Sequence, residues 1–232
     1  MGERYRSETD KYRSDLAGYC VGNGVDIGYG GDPIVPSAIT IDNPDGLMAN
    51  CGDHPINLAG DATSLRWFRG SVLDYVYSSH CLEDFQNTVD ILSEWLRVLK
   101  TGGRLVLLLP DQKRYERYCS EHGEQPNEAH KISEFGLKYL KGVLASIPNT
   151  KVVFENDIID DYNFQIVVEK TAHGSDIAQE DAANERIGQL KDELDAVKEN
   201  MSECQRELDF VKSSKFWKVR EWYSRLKGNP EW

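Results

Sequence analysis

Two histidines lie in polar stretches where they could take a proton from a reacting hydroxyl group. His80 follows an apolar run of strand length, and His130 lies in a polar loop. Because histidine titrates at about pH 6.5, it can act as a general base near neutral pH and accelerate a reaction about 10²–10⁴-fold. His80 is our candidate base and His130 the alternative. A structural role for His80 at the strand end and an exposed His130 are the competing interpretations, and the nearby Glu83 and Asp84 are predicted to cap the next turn.

A glycine-rich turn gives the strongest binding signal. Gly28, Gly30 and Gly31 directly follow the apolar segment 24–27. Glycines so placed let the backbone turn tightly and bring its N–H groups against a ligand without a Cβ in the way. The spacing does not match a dinucleotide fingerprint, because Pro33 stands where the third glycine is required.

Two acids follow the next apolar segments. Asp42 ends the segment 38–42, and Asp61 comes after the apolar pair Ile56 and Leu58. A glycine turn after one strand and a carboxylate at the tip of the next are how doubly wound sheets hold a nucleoside. The sequence therefore predicts a nucleoside site.

Three ordered motifs carry a family resemblance. The pattern D-x-G-x-G at 26–30 resembles the first motif of class I S-adenosylmethionine-dependent methyltransferases. The segment S-S-H-C-L-E at 78–83 looks like the family's motif at the mouth of the site, and W-L-R-V-L-K-T-G-G-R-L-V-L at 95–107 is a further specific mark. The resemblance spans roughly 12–170 and implies S-adenosyl-L-methionine as the cofactor.

The resemblance also implies roles for individual residues. It places the ribose hydroxyls on Asp42 and the adenine amino group beside Asp61. The cofactor-binding residues predicted in this way are Asp26, Gly28, Tyr29, Gly30, Asp42, Asn43, Asp61, Ala62 and Ser79.

Apolar periodicity predicts the elements that position these residues. Residues 88–100 show the spacing of an amphipathic helix, as do residues 132–147, and 104–111 reads as a strand buried on both faces. Strands at 151–154 and 162–170, joined by a short link, predict a terminal antiparallel hairpin. We therefore expect an α/β fold with a doubly wound, mostly parallel seven-stranded sheet, the Rossmann-like methyltransferase fold.

The first crossover departs from this pattern. Only the eight residues 30–37 separate the first two strands, and two of them are prolines. A parallel crossover with a full helix takes at least about 10–12 residues. The first helix is therefore predicted to be shortened to about one turn or replaced by a loop.

The acceptor is the least constrained prediction. Asp111, Tyr115 and Asn127 follow the fifth strand and are predicted to bind substrate. A sulfonium is a strong methyl donor, so alignment supplies much of catalysis and a hydroxyl acceptor benefits from a base. We predict O-methylation of a sugar or glycan hydroxyl. A methyltransferase of an amine or protein side chain, and a non-catalytic methyltransferase-like scaffold, are the alternatives.

Composition narrows the class of protein. The net charge of −12 argues against binding to the nucleic-acid backbone. Five scattered cysteines without a C-x-x-C pair predict neither a disulfide framework nor a zinc site, so we expect no metal and a cytoplasmic location. No secretory signal or membrane span is recognisable in the sequence.

A heptad seam follows the predicted catalytic domain, 1–170. Apolar residues recur with alternating spacings of three and four from Ile187 to Val211, which predicts a coiled coil over 185–213. A parallel homodimer is the preferred interpretation, with a trimer second. The competing interpretation is one long helix folded back on its own domain.

The remaining segments are a linker and a tail. Residues 171–184 are small, polar and acidic, and are predicted to form a flexible linker. The tail spans 214–232. Residues 212–227, which include most of it, hold six basic residues, one acid and several aromatics. This composition suits a membrane interface or an acidic partner, although packing on a neighbouring chain is the alternative. The tail also resembles coiled-coil tails of proteins in bacterial surface-polysaccharide synthesis.

Overall fold

The computed structural model describes residues 7–44, 55–172 and 174–226, and it divides the chain into two units at Gly174. The first unit holds seven strands and four helices in its described part, and the second holds two helices. The strands are β1 (Gly24–Ile27), β2 (Ile39–Asp42), β3 (Leu58–Ala59), β4 (Leu73–Ser79), β5 (Leu99–Pro110), β6 (Thr150–Asn156) and β7 (Asn163–Lys170), and the helices are α1 (Glu8–Leu16), α2 (Thr88–Val98), α3 (Gln112–His122), α4 (Leu137–Ala145), α5 (Gly174–Ser213) and α6 (Lys215–Leu226).

The strands form one sheet in the order β3-β2-β1-β4-β5-β7-β6. Only β7 runs against its neighbours, pairing antiparallel with β5 and β6. The predicted mostly parallel sheet with a terminal hairpin is confirmed. The carboxyl ends of β1, β2, β4 and β5 consequently lie along one edge, where open α/β sheets bind their ligands.

Both faces of the sheet are covered, so β5 is buried on both sides. Leu105 and Leu107 belong to the apolar cluster that includes α2 and α4, whereas Val106 and Leu108 belong to the opposite cluster. Successive side chains of a strand point to opposite faces, which explains the nearly unbroken apolar run. Trp95 of α2 is fully buried in the first cluster.

The first crossover contains no helix anywhere in residues 28–38, all of which are described. Instead Ile34 packs on the sheet beside Leu16 of α1. The Arg13 guanidinium of α1 donates to the Ile34 carbonyl at 2.9 Å and to the Asp32 carboxylate at 2.6 Å. The prediction of a loop in place of the first helix is confirmed, and α1 supplies part of the layer that the missing helix would have formed.

Tertiary pairing shortens both predicted helices. The helix predicted over 88–100 ends at Val98, because Leu99 pairs with Leu73 and begins β5. The helix predicted over 132–147 covers only Leu137–Ala145. In the loop before it, the Phe135 carbonyl accepts a hydrogen bond from the Gln112 N–H, which ties the loop to the start of α3.

The polar stretch 111–118, for which the sequence pattern predicts no element, lies mostly in α3. Asp111 caps this helix by accepting from the Arg114 N–H at 3.1 Å. Gly123 ends it in the left-handed conformation, with φ of 70°. A helix capped at both ends needs no apolar face to define its limits, which is why periodicity alone did not reveal it.

The second unit consists of α5 and α6. Residues 174–184, for which the composition predicts a flexible linker, lie within α5. The seam residues described are each between 43% and 68% exposed in the single chain: Leu190, Leu194, Val197, Met201, Leu208 and Val211.

A helix break separates the predicted coiled coil from the tail. Ser214 lies between α5 and α6, and its hydroxyl accepts from the Trp217 N–H at 3.2 Å to cap α6. The break falls at the boundary predicted between residues 213 and 214. Among the helices described, none is both long enough and apolar enough to cross a lipid bilayer.

Candidate active site

The glycine turn after β1 is tied to the tip of β2. Gly28, Gly30 and Gly31 all have positive φ, between 58° and 88°, which favours glycine. The Gly30 N–H donates to Asp42 Oδ2 at 3.1 Å, and the Gly28 N–H donates to the Ile41 carbonyl at 2.9 Å. A side chain at position 28 would also collide with Cys81, since its Cβ would lie 2.8 Å from Sγ.

The predicted acids of the nucleoside site lie on neighbouring strands. Asp42 ends β2, and its Oδ1 accepts from the N–H of the exposed Asn43 at 2.8 Å. The Gly60 N–H donates to the Asp42 carbonyl at 3.0 Å, which brings Asp61 next to the end of β2. Asp61 is exposed and accepts from the Thr63 N–H at 2.8 Å. The structure thus brings these acids to one edge.

Asp26 and Tyr29 lie below this edge, in the interior. Asp26 is fully buried, and its Oδ2 accepts from the Ile34 N–H at 2.7 Å. Its Oδ1 is buried without a hydrogen-bond partner among the described residues. Burial raises the pKa of Asp26 to about 8. Tyr29 is only 3% exposed, so both residues shape the loop from beneath it.

The remaining predicted cofactor residues hold their loops in place. Ser79 is the last residue of β4 and pairs with Leu108. Ala62 is partly buried, and its carbonyl accepts from Trp95 Nε1 at 2.8 Å. Main-chain contacts thus hold both residues at or beside the site edge.

The two candidate bases meet around a buried carboxyl group. His80 Nδ1 lies 3.7 Å from Glu83 Oε1, and His130 Nε2 lies 3.8 Å from the same oxygen. Glu83 is 1% exposed, and burial raises its pKa to about 8. From the sequence, Glu83 is predicted only to cap a turn. Its three-residue spacing from His80 could have suggested one contact, but the approach of His130 depends on the tertiary fold.

His80 is held rigidly at the end of β4. It has a positive φ of 49°, and its N–H donates to the Leu108 carbonyl at 3.0 Å. Its Nε2 is buried and has no hydrogen-bond partner among the residues described. Burial lowers the pKa of His80, which keeps the ring neutral near pH 7. Both ring nitrogens thus lie against protein.

His130 is fixed by residues of α3. Its Nδ1 lies 2.6 Å from Gln112 Oε1, and its ring centroid lies 5.0 Å from that of Tyr115. The Lys131 N–H, one residue on, donates to the Glu83 carbonyl at 3.0 Å and pins the loop to the end of β4. Burial, assisted by His80, lowers the pKa of His130 to about 4. No local sequence pattern points to Gln112, which meets His130 only in the folded chain.

A wall of tyrosines extends from the histidines. The ring of Tyr162 lies 5.2 Å from Tyr115, 5.1 Å from Tyr118 and 6.3 Å from His80, measured between centroids. Of the three predicted substrate residues, only Tyr115 belongs to this wall. Asp111 caps α3, and Asn127 folds its own loop by accepting from the Ala129 N–H at 3.0 Å.

The site edge has no metal-binding cluster in the part of the chain that is described. Within residues 7–44, 55–172 and 174–226, no three side chains of histidine, cysteine, aspartate or glutamate are grouped so that they could hold a metal ion.

Comparison with known proteins gives a family match over part of the chain. Residues 37–107 match a family model described as "Methyltransferase domain", just under a third of the chain. Curated protein sequences give no match.

Solved structures share the fold of the first unit. A chain from the Haloferax volcanii complex of the Trm112 methyltransferase activator with a methyltransferase is 14% identical, with a TM-score of 0.53, covering 71% of this chain and 89% of that chain. A SAM-dependent methyltransferase from Archaeoglobus fulgidus is 16% identical, with a TM-score of 0.53. The match covers 70% of this chain and 92% of that chain. A third structure is described as "Conversion of a Disulfide Bond into a Thioacetal Group during Echinomycin Biosynthesis". It is 13% identical, with a TM-score of 0.54, and the match covers 76% of this chain and 87% of that chain. At these identities the likeness establishes the fold alone.

The match over residues 37–107 is to a methyltransferase domain, and it agrees with the predicted enzyme, a methyltransferase whose cofactor is S-adenosyl-L-methionine. The residues at the site edge fit that molecule. Asp42 and Asp61 place carboxylate oxygens at this edge, while the N–H groups of Gly28 and Gly30 are already donated to the Ile41 carbonyl and to Asp42. The acidic edge also suits a cationic sulfonium.

The buried Asp26 carboxyl should make stability depend on pH. Its pKa is 3.8 ordinarily and about 8 in the folded chain, so the folded state binds the proton more tightly than the unfolded state. The stability from this group is complete at low pH and is lost as pH rises from about 4 to about 8, by at most about 1.4 kcal/mol per pH unit. We expect Asp26→Asn to remove this loss, because asparagine does not titrate and can still accept from the Ile34 N–H.

The measurement is the free energy of unfolding from urea titrations at half-unit steps between pH 5 and 8. The matched control is Asp90→Asn, which changes an exposed aspartate of α2. Parallel pH profiles for the wild type and Asp26→Asn would show that Asp26 does not carry the proton.

Proposed function

We propose that the protein is an S-adenosylmethionine-dependent methyltransferase that methylates a hydroxyl group of a sugar or glycan, in the synthesis of surface polysaccharide. The observation that carries hydroxyl methylation is the pair of imidazoles around Glu83 at the carboxyl end of β4. Burial lowers the pKa of both histidines, so both are neutral near pH 7 and can accept a proton. An amine acceptor needs mainly desolvation and would make no use of them.

The proposed roles follow from the positions of the residues. Asp42 and Asp61 would hold the ribose and adenine, and the turn at Gly28 and Gly30 would face the methionine portion. When bound, the cofactor supplies an electrophilic methyl group. The chain's own contribution is to align the acceptor, exclude water and take up its proton. His80 remains the predicted base and His130 the alternative.

The tyrosine wall supports a sugar acceptor. The faces of aromatic rings carry partial negative charge, and the C–H bonds on one face of a sugar ring can pack against them. Tyr162 lies beside His80 and Tyr115 beside His130, and Tyr118 packs on Tyr162. The resemblance of the tail to proteins of surface-polysaccharide synthesis points the same way. Methylation of an amine or protein side chain and a non-catalytic scaffold stay as alternatives.

We also propose that the second unit dimerises the protein and brings it to an acidic surface. The exposed seam from Leu190 to Val211 on a continuous helix supports a parallel homodimer, because a second copy would cover it. The exposed apolar face of α6 is made by Phe216, Val219, Trp222 and Tyr223, each 54–82% exposed. Lys218 and Arg225 flank this face on the helix. Such a face suits an anionic membrane surface.

Asp42 should control cofactor binding. We expect the wild type to bind S-adenosylmethionine and its demethylated product in calorimetric titrations, and Asp42→Ala to weaken both at least tenfold, because the ribose loses a charged acceptor worth about 1.5–3 kcal/mol. Asp90→Ala, on the exposed side of α2, is the matched control.

An acceptor screen follows, using nucleotide sugars and glycan fragments with tritiated cofactor. Wild-type protein without affinity for either cofactor form would leave the scaffold alternative. Transfer to amines with no transfer to hydroxyls would favour the amine alternative. Retention of most turnover by His80→Ala, with cofactor affinity unchanged, would remove His80 as the base.

The seam should hold two chains together. Light scattering at micromolar concentration should give twice the chain mass of 26.4 kDa. Leu194→Glu should give the mass of one chain, because it buries a charge in the seam, whereas Asp192→Ala, outside the seam, should leave the dimer intact. A wild-type mass of one chain would contradict the dimer, and three chain masses would favour the trimer.

The tail should bind anionic vesicles. We expect the full chain to float with vesicles that contain phosphatidylglycerol, and deletion of residues 212–232 to abolish flotation. Trp222→Glu lies on the exposed apolar face and should weaken binding at least tenfold. Trp217→Ala, whose ring instead packs under Arg220 at 5.2 Å, is the control. Equal flotation with and without the tail would remove the membrane proposal and leave an acidic protein partner.

A further inference from the structure

We infer that Gln112 is a positioning residue that fixes the proton of His130 on Nδ1 and thereby leaves Nε2 as the nitrogen that accepts the acceptor's proton. The inference rests on the proposed function for its catalytic consequence. Its structural part, the tautomer of His130, stands on hydrogen-bond geometry alone. Three side chains linked by hydrogen bonds support it: Glu116 and Gln112 on α3, and His130 in the loop that follows.

The amide of Gln112 has its orientation fixed by Glu116. Gln112 Nε2 donates to Glu116 Oε1 at 2.8 Å, one helical turn away. A carboxylate only accepts hydrogen bonds, so the amide nitrogen must face Glu116 and the amide oxygen must face the other way. Gln112 is 6% exposed, which leaves little room for the amide to turn over.

The oriented amide in turn selects the tautomer of His130. Gln112 Oε1 lies 2.6 Å from His130 Nδ1, and a carbonyl oxygen can only accept. His130 Nδ1 therefore carries the hydrogen. In a neutral imidazole the other nitrogen then holds a lone pair, so Nε2 is the basic atom. This is the same logic by which a hydrogen-bonded partner orients a catalytic histidine in acyl-transfer enzymes.

The basic nitrogen faces the centre of the site. His130 Nε2 lies 3.8 Å from Glu83 Oε1, whose side chain also contacts His80. In His80 it is Nδ1 that faces Glu83, at 3.7 Å. If His130 rather than His80 serves as the base, its tautomer makes Nε2 the accepting atom. In the step itself the O–H bond of the acceptor breaks, its proton goes to the lone pair of Nε2, and its electron pair stays on oxygen.

The charges around His130 come from every element packed on it. His80 and Glu83 face it from the end of β4 and the turn that follows, and Glu116 and Tyr115 face it from α3. A proton on His80 would oppose protonation of His130, while Glu116 favours it. A protonated His130 would form beside Glu83, whose buried Oε1 lies 3.8 Å from Nε2.

Nitrogen-15 NMR of the histidine rings tests the tautomer without any substrate. In the wild type at pH 7, we expect His130 to show a protonated Nδ1 and an unprotonated Nε2. Gln112→Leu removes the acceptor at similar volume and should shift population toward the Nε2–H tautomer. Gln112→Glu restores an acceptor, now charged, and should restore the Nδ1–H tautomer and raise the pKa of His130 by at least one pH unit.

Controls separate a tautomer effect from loss of folding. Gln86→Leu changes an exposed glutamine and should leave the His130 signals unchanged. His130→Asn assigns the signals, and thermal unfolding checks that each variant is folded. A wild-type His130 with its hydrogen on Nε2, or a tautomer unchanged in folded Gln112→Leu, overturns the inference.

Kinetics then test the catalytic consequence separately. With an active acceptor, Gln112→Leu should lower kcat by up to the about 10²–10⁴-fold that a general base contributes, with little change in KM for the acceptor. Gln112→Glu should recover part of the rate and move the acidic limb of the pH–rate profile upward. An unchanged kcat in Gln112→Leu with an altered tautomer overturns the role in catalysis. Absence of any transfer in the wild type contradicts the proposed function, while the NMR result still decides the tautomer.

Discussion

The shortness of the connection between β1 and β2 is the constraint on which the rest of the first unit depends. Residues 28–38 cannot hold a helix and still return to a parallel strand, so they form a loop that must be held against the sheet by other means. Asp26 binds this loop from below through the Ile34 N–H, and Arg13 binds it from the side of α1. The Gly30–Asp42 hydrogen bond then joins the loop to β2. The shape of this loop, the position of α1 against it and its link to the site edge all follow from the missing helix.

Burial sets the chemistry of the site by acting in opposite directions on acids and bases. Asp26 and Glu83 are removed from water, so the neutral acid is favoured and each pKa rises to about 8. His80 and His130 are also favoured in their neutral form, so their pKa values fall. The same desolvation thus favours the protonated form of Glu83 and the unprotonated form of the two imidazoles beside it. Asp42 and Asp61 lie on the more open part of the edge, where carboxylates can meet a cationic cofactor.

The two units follow different physical rules. The first buries two apolar clusters, one on each face of its sheet, and derives its stability from them. The second leaves its seam and the apolar face of α6 exposed in the single chain. Exposed apolar surface of this extent marks an interaction site in soluble proteins. The break at Ser214 ends the heptad pattern and begins a helix with a different apolar face, so the seam and the tail are separate surfaces.

The sequence by itself determined the order and type of most elements, the missing first helix, the glycine turn and the acids of its edge. These features are local: apolar period, glycine spacing and chain length between strands act within a few residues of one another. Only the tertiary structure placed Glu83 between His80 and His130, turned Asp26 and Tyr29 inward, and joined Gln112 to His130. Such contacts link segments up to about 50 residues apart, and no local pattern records them. It also placed residues 174–184 in a helix, although their small, polar and acidic composition predicts a linker.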